Sequence, residues 1–224
     1  MRIAAPEFGA TNMAMLRVII AGLTLLPIFI LVARRTFKNM SVVQKKQTFK
    51  YLTIVAVGNS ILPFMLFAYA ALHLEAGLAS IVNATTPLWG VLFGVLLFGT
   101  QLNRSGWLGL LVGFVGVIIL TSHKLSFNAS PDVLGILAIV SATGLYGIFS
   151  NYSKHRLGHA PALLVASGTM LIASLIVLPM LWLNNSIADL IAVRWQAWAS
   201  IISLGALGTG FAYILFYRLI EFTS

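Results

Sequence analysis

The stretch that begins at Ala76 constrains this chain more than any other. It holds two apolar runs, Ala76 to Phe98 and Gly106 to Thr121, joined by a short polar turn with one charge, Arg104. A helix rises about 1.5 Å per residue and the hydrocarbon layer of a bilayer is about 30 Å thick, so each run is near the length of a membrane crossing. Together they predict a helical membrane hairpin. Composition extends the argument to the whole chain: 59% of residues are hydrophobic and 8% charged, with a mean hydropathy of +0.97. A soluble domain carries roughly a quarter charged residues, and no water-facing surface can be assembled from so few.

Seven apolar segments follow one another: Met13 to Ala33, Lys50 to Leu72, Ala76 to Phe98, Gly106 to Thr121, Val133 to Tyr152, Pro161 to Leu183 and Gln196 to Ile220. The expected fold is all-α, a polytopic helical membrane protein. The net charge of +9 would suggest nucleic acid in a soluble protein, but its placement gives it another meaning. Arg34, Arg35, Lys38, Lys45, Lys46 and Lys50 fall in the loop after the first span, Arg104 after the third, Lys154 and Arg156 after the fifth, and Arg218 at the end of the seventh. The other side holds only Arg2, Lys124 and Arg194 among its cations. By the positive-inside rule the basic side is cytoplasmic, the N-terminus outside and the C-terminus inside, in the cell (inner or plasma) membrane. The first residues lack the apolar core of a cleaved leader, so Met13 to Ala33 reads as a span.

An internal repeat is faint but ordered. Pro27 set on Pro179 aligns Ala21 with Ala173 and Leu26 with Leu178; Tyr69 set on Tyr217 aligns the next helix, and the two offsets are 152 and 148. The spans then read as helices two to five of a first half, residues 1–128, and one to three of a second, residues 129–224. RVIIAGLTLLP from Arg17, FAYAALHLEAGLASIVNATTPLWGVLFGVLLFG from Phe67, GLLVGFVGVIIL from Gly109 and GTGFAYILFYRLIE from Gly208 resemble the EamA-type carriers of the drug/metabolite transporter superfamily. The resemblance implies a two-repeat (5+5) fold, here without its first and last helices, and secondary transport of small metabolites by alternating access, often efflux of amino-acid-like compounds or drugs. Where that family commonly has an acid in a pattern like LGE, this chain has Phe98, Gly99 and Thr100.

Candidate path residues are the polar groups at membrane depth, because such groups need internal partners. Arg17 is a charge within a span; it either reaches the outer headgroups or offers a contact to an anion. On the third span Asn83, Thr86, Pro87, Gly90 and Gly94 share a face, and Pro87 frees the carbonyl near Asn83. Asn59, Tyr146 and Asn151 serve either as interhelical hydrogen-bond partners or as substrate contacts. Tyr69, Tyr213 and Tyr217 sit at repeat-related positions and also suit interface anchors, whereas Trp89 lies deeper than an anchor should. Gly106, Gly109, Gly113 and Gly116 line one helix face that a neighbour can approach closely.

Other chemistry finds no foothold. There is no cysteine and no GxxxxGK[ST] loop, and no His or Asp lies within a predicted span. No catalytic residue, metal or cofactor is therefore expected. His73, His123, His155 and His159 read as solvated loop residues. A retinal protein would need a lysine in its last span, which has none. The expected partners are a small-molecule substrate, the lipid bilayer and a second copy of the chain in a homodimer, without nucleic acid. A truncated non-transporting fragment or membrane scaffold is the rival reading.

Overall fold

The structure is a computed structural model that describes residues 5–122, 131–184, 193–212 and 214–215. Its helices are α1 (Ala5–Phe8), α2 (Ala10–Lys38), α3 (Val42–Ala56), α4 (Leu62–His73), α5 (Ala76–Asn83), α6 (Thr86–Phe98), α7 (Arg104–Ser122), α8 (Pro131–Leu157), α9 (Ala162–Asn184) and α10 (Trp195–Gly205). No strand occurs among the described residues. Six helical stretches are long and apolar enough to cross a membrane: α2, α3 through α4, α5 through α6, α7, α8 and α9. The seventh expected span begins with α10, and its residues 213 and 216–220 lie outside the described residues.

The basic loops are shorter than the sequence suggested. α2 runs 29 residues, more than the roughly 20 a crossing needs, so Arg34, Arg35 and Lys38 ride its last turns instead of a loop. Three residues later Ser41 caps α3: its hydroxyl accepts from the Gln44 N–H, and the Gln44 side chain accepts from the Ser41 N–H. Lys45, Lys46 and Lys50 are therefore helical too. Lys154, His155 and Arg156 likewise close α8, and only His159 lies in a turn. Once a helix is nucleated each added residue gains a backbone hydrogen bond, and Lys and Arg are good helix formers, so polar ends prolong helices past the hydrocarbon layer.

Proline sets two of the interruptions. Pro87 has no N–H to offer the Asn83 carbonyl, and the third span breaks there into α5 and α6. The orphaned carbonyl accepts instead from the Thr86 hydroxyl at 2.7 Å. Pro63 follows Val57–Ile61, where the ladder widens to one π-type turn between α3 and α4. A second π-type turn, Ala206–Phe211, follows α10, and Thr209 Oγ1 donates to the Leu204 carbonyl at 3.3 Å. The two widened turns start 149 positions apart, one more than the offset of 148 that sets Tyr69 on Tyr217.

α2 and α9 pack along each other most closely. An added Cβ on Gly22 would meet Ser174, whose hydroxyl donates to the Val18 carbonyl at 2.9 Å. Gly22 and Ser174 are themselves related by the offset of 152. Around this pair the main core gathers Met13, Leu25, Leu52, Leu164, Met170 and Ile201. A smaller cluster joins α4, α5 and α8 through Ala70, Leu78, Val82 and Ile139. α7 lies at the edge, with Leu108, Val112, Val115 and Ile119 exposed as lipid-facing side chains are. Its glycine face is used only in part: Gly113 abuts Leu88, whereas Gly109 and Gly116 meet nothing within 4 Å. The tight approach is elsewhere, where Gly147 of α8 lies against the Trp89–Gly90 backbone.

Candidate functional site

A cavity of about 710 Å³ opens between α6 and the C-terminal half of α8, on the basic side of the molecule. Pro87, Gly90, Val91, Gly94 and Phe98 form its α6 wall. Ser150, Asn151, Lys154 and His155 form the α8 wall, with Thr100 and Leu102 between. The α8 residues recur at three- and four-residue spacing, which puts them on one helix face. α6 can lie this near because glycine occupies the contact: the Gly147 approach to Trp89 and Gly90 leaves no room for a side chain.

Asn151 is held by its amide. Its Nδ2 donates to the carbonyls of Gly90 and Gly147, both at 2.8 Å, which uses both of its N–H groups. The carbonyl oxygen Oδ1 is thereby turned toward Gly94, where an added Cβ would lie 3.2 Å from it and 3.3 Å from Thr100 Oγ1. Gly94 thus lets the α6 backbone come close to two polar oxygens, where even a Cβ would be tight. Gly99, at φ 69, ends α6 in a left-handed turn, and the Thr100 N–H returns to the Gly94 carbonyl at 3.0 Å. That turn carries the Thr100 hydroxyl to the cavity.

Of the path residues expected from the sequence, Pro87 lines this cavity, as do Gly90, Gly94 and Asn151. Asn59 reaches it at one remove, since Ser150 Oγ donates to Asn59 Oδ1 at 3.5 Å. Asn83 and Thr86 lie above it at the α5–α6 break, hydrogen-bonded to each other. Trp89 turns away to α7 and packs on Phe93 and Phe114, its buried indole N–H without a hydrogen-bond partner. Tyr146 stacks on Phe67 of α4, with ring centroids 6.1 Å apart. Tyr213 lies outside the described residues.

Arg17 stays inside the bundle instead of reaching for headgroups. Its Nε donates to Thr209 Oγ1 at 3.0 Å, and its guanidinium lies 4.4 Å from the centre of the Phe64 ring. It therefore links α2 to the second π-type turn and to α4, just after the first.

Lys154 and His155 were missed as site residues because a polar run before Gly158 reads as a loop. Their spacing from Gly147 and Asn151 carried the signal. The last turn of α8 sends its side chains in two directions: Arg156 lies over the Tyr51 ring of α3, while His155 packs beside Phe98 at the cavity. Glu7, Glu75 and Asp132, the acids among the described residues, lie away from it.

Against this geometry stand the likenesses to known proteins. The profile of the EamA-like transporter family matches residues 1–122 and 133–224. The chain belongs to that family. Among curated EamA-like relatives, YedA of Escherichia coli K12, described as an uncharacterized inner membrane transporter, is 30% identical over 178 residues, which cover 73% of this chain and 56% of YedA. The UDP-galactose/UDP-N-acetylglucosamine transporter srf-3 of Caenorhabditis elegans is 37% identical over 101 residues, 43% of this chain and 27% of srf-3. The chain thus spans about half the length of YedA. A solved crystal structure superposes with a TM-score of 0.60 over 95% of this chain and 71% of its own, at 20% identity. That likeness speaks for the fold, and this EamA-like chain is a multi-pass helical membrane protein.

Proposed function

We propose that the chain forms the substrate-handling part of a secondary carrier that moves small metabolites, amino-acid-like compounds or drugs, outward by alternating access. The observation that carries this reading is the cavity between α6 and α8. It opens on the basic side, is walled by glycine and proline on α6, and presents Asn151 Oδ1 and Thr100 Oγ1 at Gly94. Irregular backbone at membrane depth is tolerated where it is buried or lines a cavity, and the α5–α6 break lies directly above this one. In this reading the N-terminus is outside, the C-terminus is cytoplasmic and the membrane is the inner or plasma membrane. YedA, described as an inner membrane transporter, supports the location.

A two-repeat build, with halves at 1–128 and 129–224, supports the cycle. Repeat-related helices α2 and α9 pack on each other through Gly22 and Ser174, and both halves carry a π-type turn at the matching place. Rocking of one half against the other is how inverted-repeat carriers expose a site alternately. Those turns, with fewer backbone constraints than an α-helix, are the places for each half to bend.

Reconstituted protein tests the reading through Gly94→Leu, which crowds Asn151 and Thr100. Efflux of a labelled amino-acid mixture from inserted protein should stop in this variant. Unchanged efflux would remove the cavity from the path.

A further inference from the structure

We infer that the mouth of the α6–α8 cavity is an oxyanion subsite. Lys154, with His155 beside it and the hydroxyl of Thr100, takes the carboxylate or phosphate end of a ligand whose remainder lies along Pro87 to Gly94. The inference rests on the reading of this cavity as a substrate path and names the chemistry of what occupies it.

Three observations carry it. The first is the one-sided charge of the lining, which holds a lysine and a histidine and no acid. An oxyanion there meets attraction without a competing carboxylate, in a cleft whose apolar walls focus the field. The second is the arrangement of donors. The Thr100 hydroxyl stands in the same lining as Lys154, and charge-assisted bonds to oxyanions are about twice as strong as neutral ones. The third is the fixed polarity of Asn151. With both N–H groups committed to Gly90 and Gly147, its Oδ1 presents only an acceptor, one helical turn deeper than Lys154 and His155. An acceptor at that depth is served by a ligand with a hydroxyl or amine a few atoms from its anionic end.

Cations on this side are expected for orientation alone, so the case turns on which of them line the cavity. Arg156 lies over Tyr51, and Lys38, Lys45, Lys46, Lys50 and Arg104 are absent from the lining. Lys154 is in it, beside His155, whose ring lies 6.0 Å from that of Phe98. Two sources can present the oxyanion, a soluble metabolite or the headgroup of an anionic lipid whose acyl chain follows Val91 and Phe98.

The test uses the full chain in phosphatidylcholine nanodiscs. One arm titrates glycerol 3-phosphate and succinate and reads thermal stabilisation. The other adds phosphatidylglycerol and reads lipid retained by native mass spectrometry. Saturable stabilisation by either soluble probe, weakened about tenfold in Lys154→Gln, restored in Lys154→Arg and untouched in Lys45→Gln, supports a metabolite subsite. Phosphatidylglycerol retention with the same dependence on Lys154, and no soluble effect, supports the subsite with a lipid headgroup as its source. If Lys154→Gln and Lys45→Gln behave alike in both arms, the basic residues serve orientation only and the inference is overturned. Binding is read without flux, so efflux that still depends on Gly94 would keep the transport reading standing while this one falls.

Discussion

Arg17 on α2 donates its Nε hydrogen to Thr209 Oγ1 at 3.0 Å, joining residues 192 positions apart. The acceptor lies in the second π-type turn, and the same guanidinium faces Phe64 just after the first. A charge at membrane depth persists where the bundle supplies such partners. Thr209→Val keeps the shape and removes the acceptor. A hydrogen bond to a charged group contributes about 1.5–3 kcal/mol, so this variant should unfold at lower denaturant by that amount, whereas Thr209→Ser should stay near wild type. Equal stability of the valine and serine variants would mean the contact contributes nothing.

Gly58 and Phe149 predict a steric result. A Cβ on Gly58 would fall 2.2 Å from a ring carbon of Phe149, inside any van der Waals contact. Gly58→Ala should destabilise by about 1–3 kcal/mol, and Phe149→Ala in the same chain should recover part of the loss. The non-additivity of the double-mutant cycle is the readout; simple addition would show that the ring moves freely aside.

At the α5–α6 break the Thr86 hydroxyl stands in for the N–H that Pro87 lacks. Thr86→Val leaves the Asn83 carbonyl without that donor and should cost about 1–3 kcal/mol. Pro87→Ala in the same background should restore the stability by returning a backbone donor, measured by thermal unfolding in detergent.

The contact between Glu7 and Arg194 gives a pH prediction. The Arg194 backbone N–H donates to Glu7 Oε2 at 3.0 Å, and its guanidinium pairs with Oε1. The backbone bond foremost, then the guanidinium, holds the Glu7 carboxyl below its ordinary value of 4.5. A carboxylate lowered on folding stabilises the folded state fully above 4.5 and loses that contribution as the pH falls through the lowered value. The docking of α1, which also seats Phe8 edge-on against Trp198 at 5.1 Å, should therefore loosen only in acid. The chain has no cysteine, so a spin label on Ala5→Cys reports it alone. Its mobility should rise on acidification in wild type and be high at every pH in Glu7→Gln. A flat profile in both would dismiss the Glu7 contact as a tether.

The spans and the break at Pro87 were legible because each rests on a strong local rule: hydrocarbon thickness and a missing N–H. The extension of α2 to Lys38 and of α8 to Leu157 was not, since polarity marks where water begins and not where a helix stops. Lys154 and His155 were lost as site residues for that reason. The π-type turns have a cue only at Pro63; the turn at Ala206–Phe211 rests on close packing of Gly205 and Gly210 against α2. Gly147 escaped notice because its value depends on what crosses it, the backbone of Trp89 and Gly90.

The central claim is that the α6–α8 cavity is a substrate path, and Gly94 decides it most directly. Proteoliposomes holding wild type, Gly94→Ala or Gly94→Leu, matched for inserted protein, would be loaded with labelled amino acids and followed for efflux. An added Cβ sits 3.2 Å from Asn151 Oδ1 and 3.3 Å from Thr100 Oγ1, so alanine should slow efflux and leucine should stop it, with thermal unfolding of each variant read alongside to separate a blocked path from a lost fold. Equal efflux from all three proteins would contradict the account.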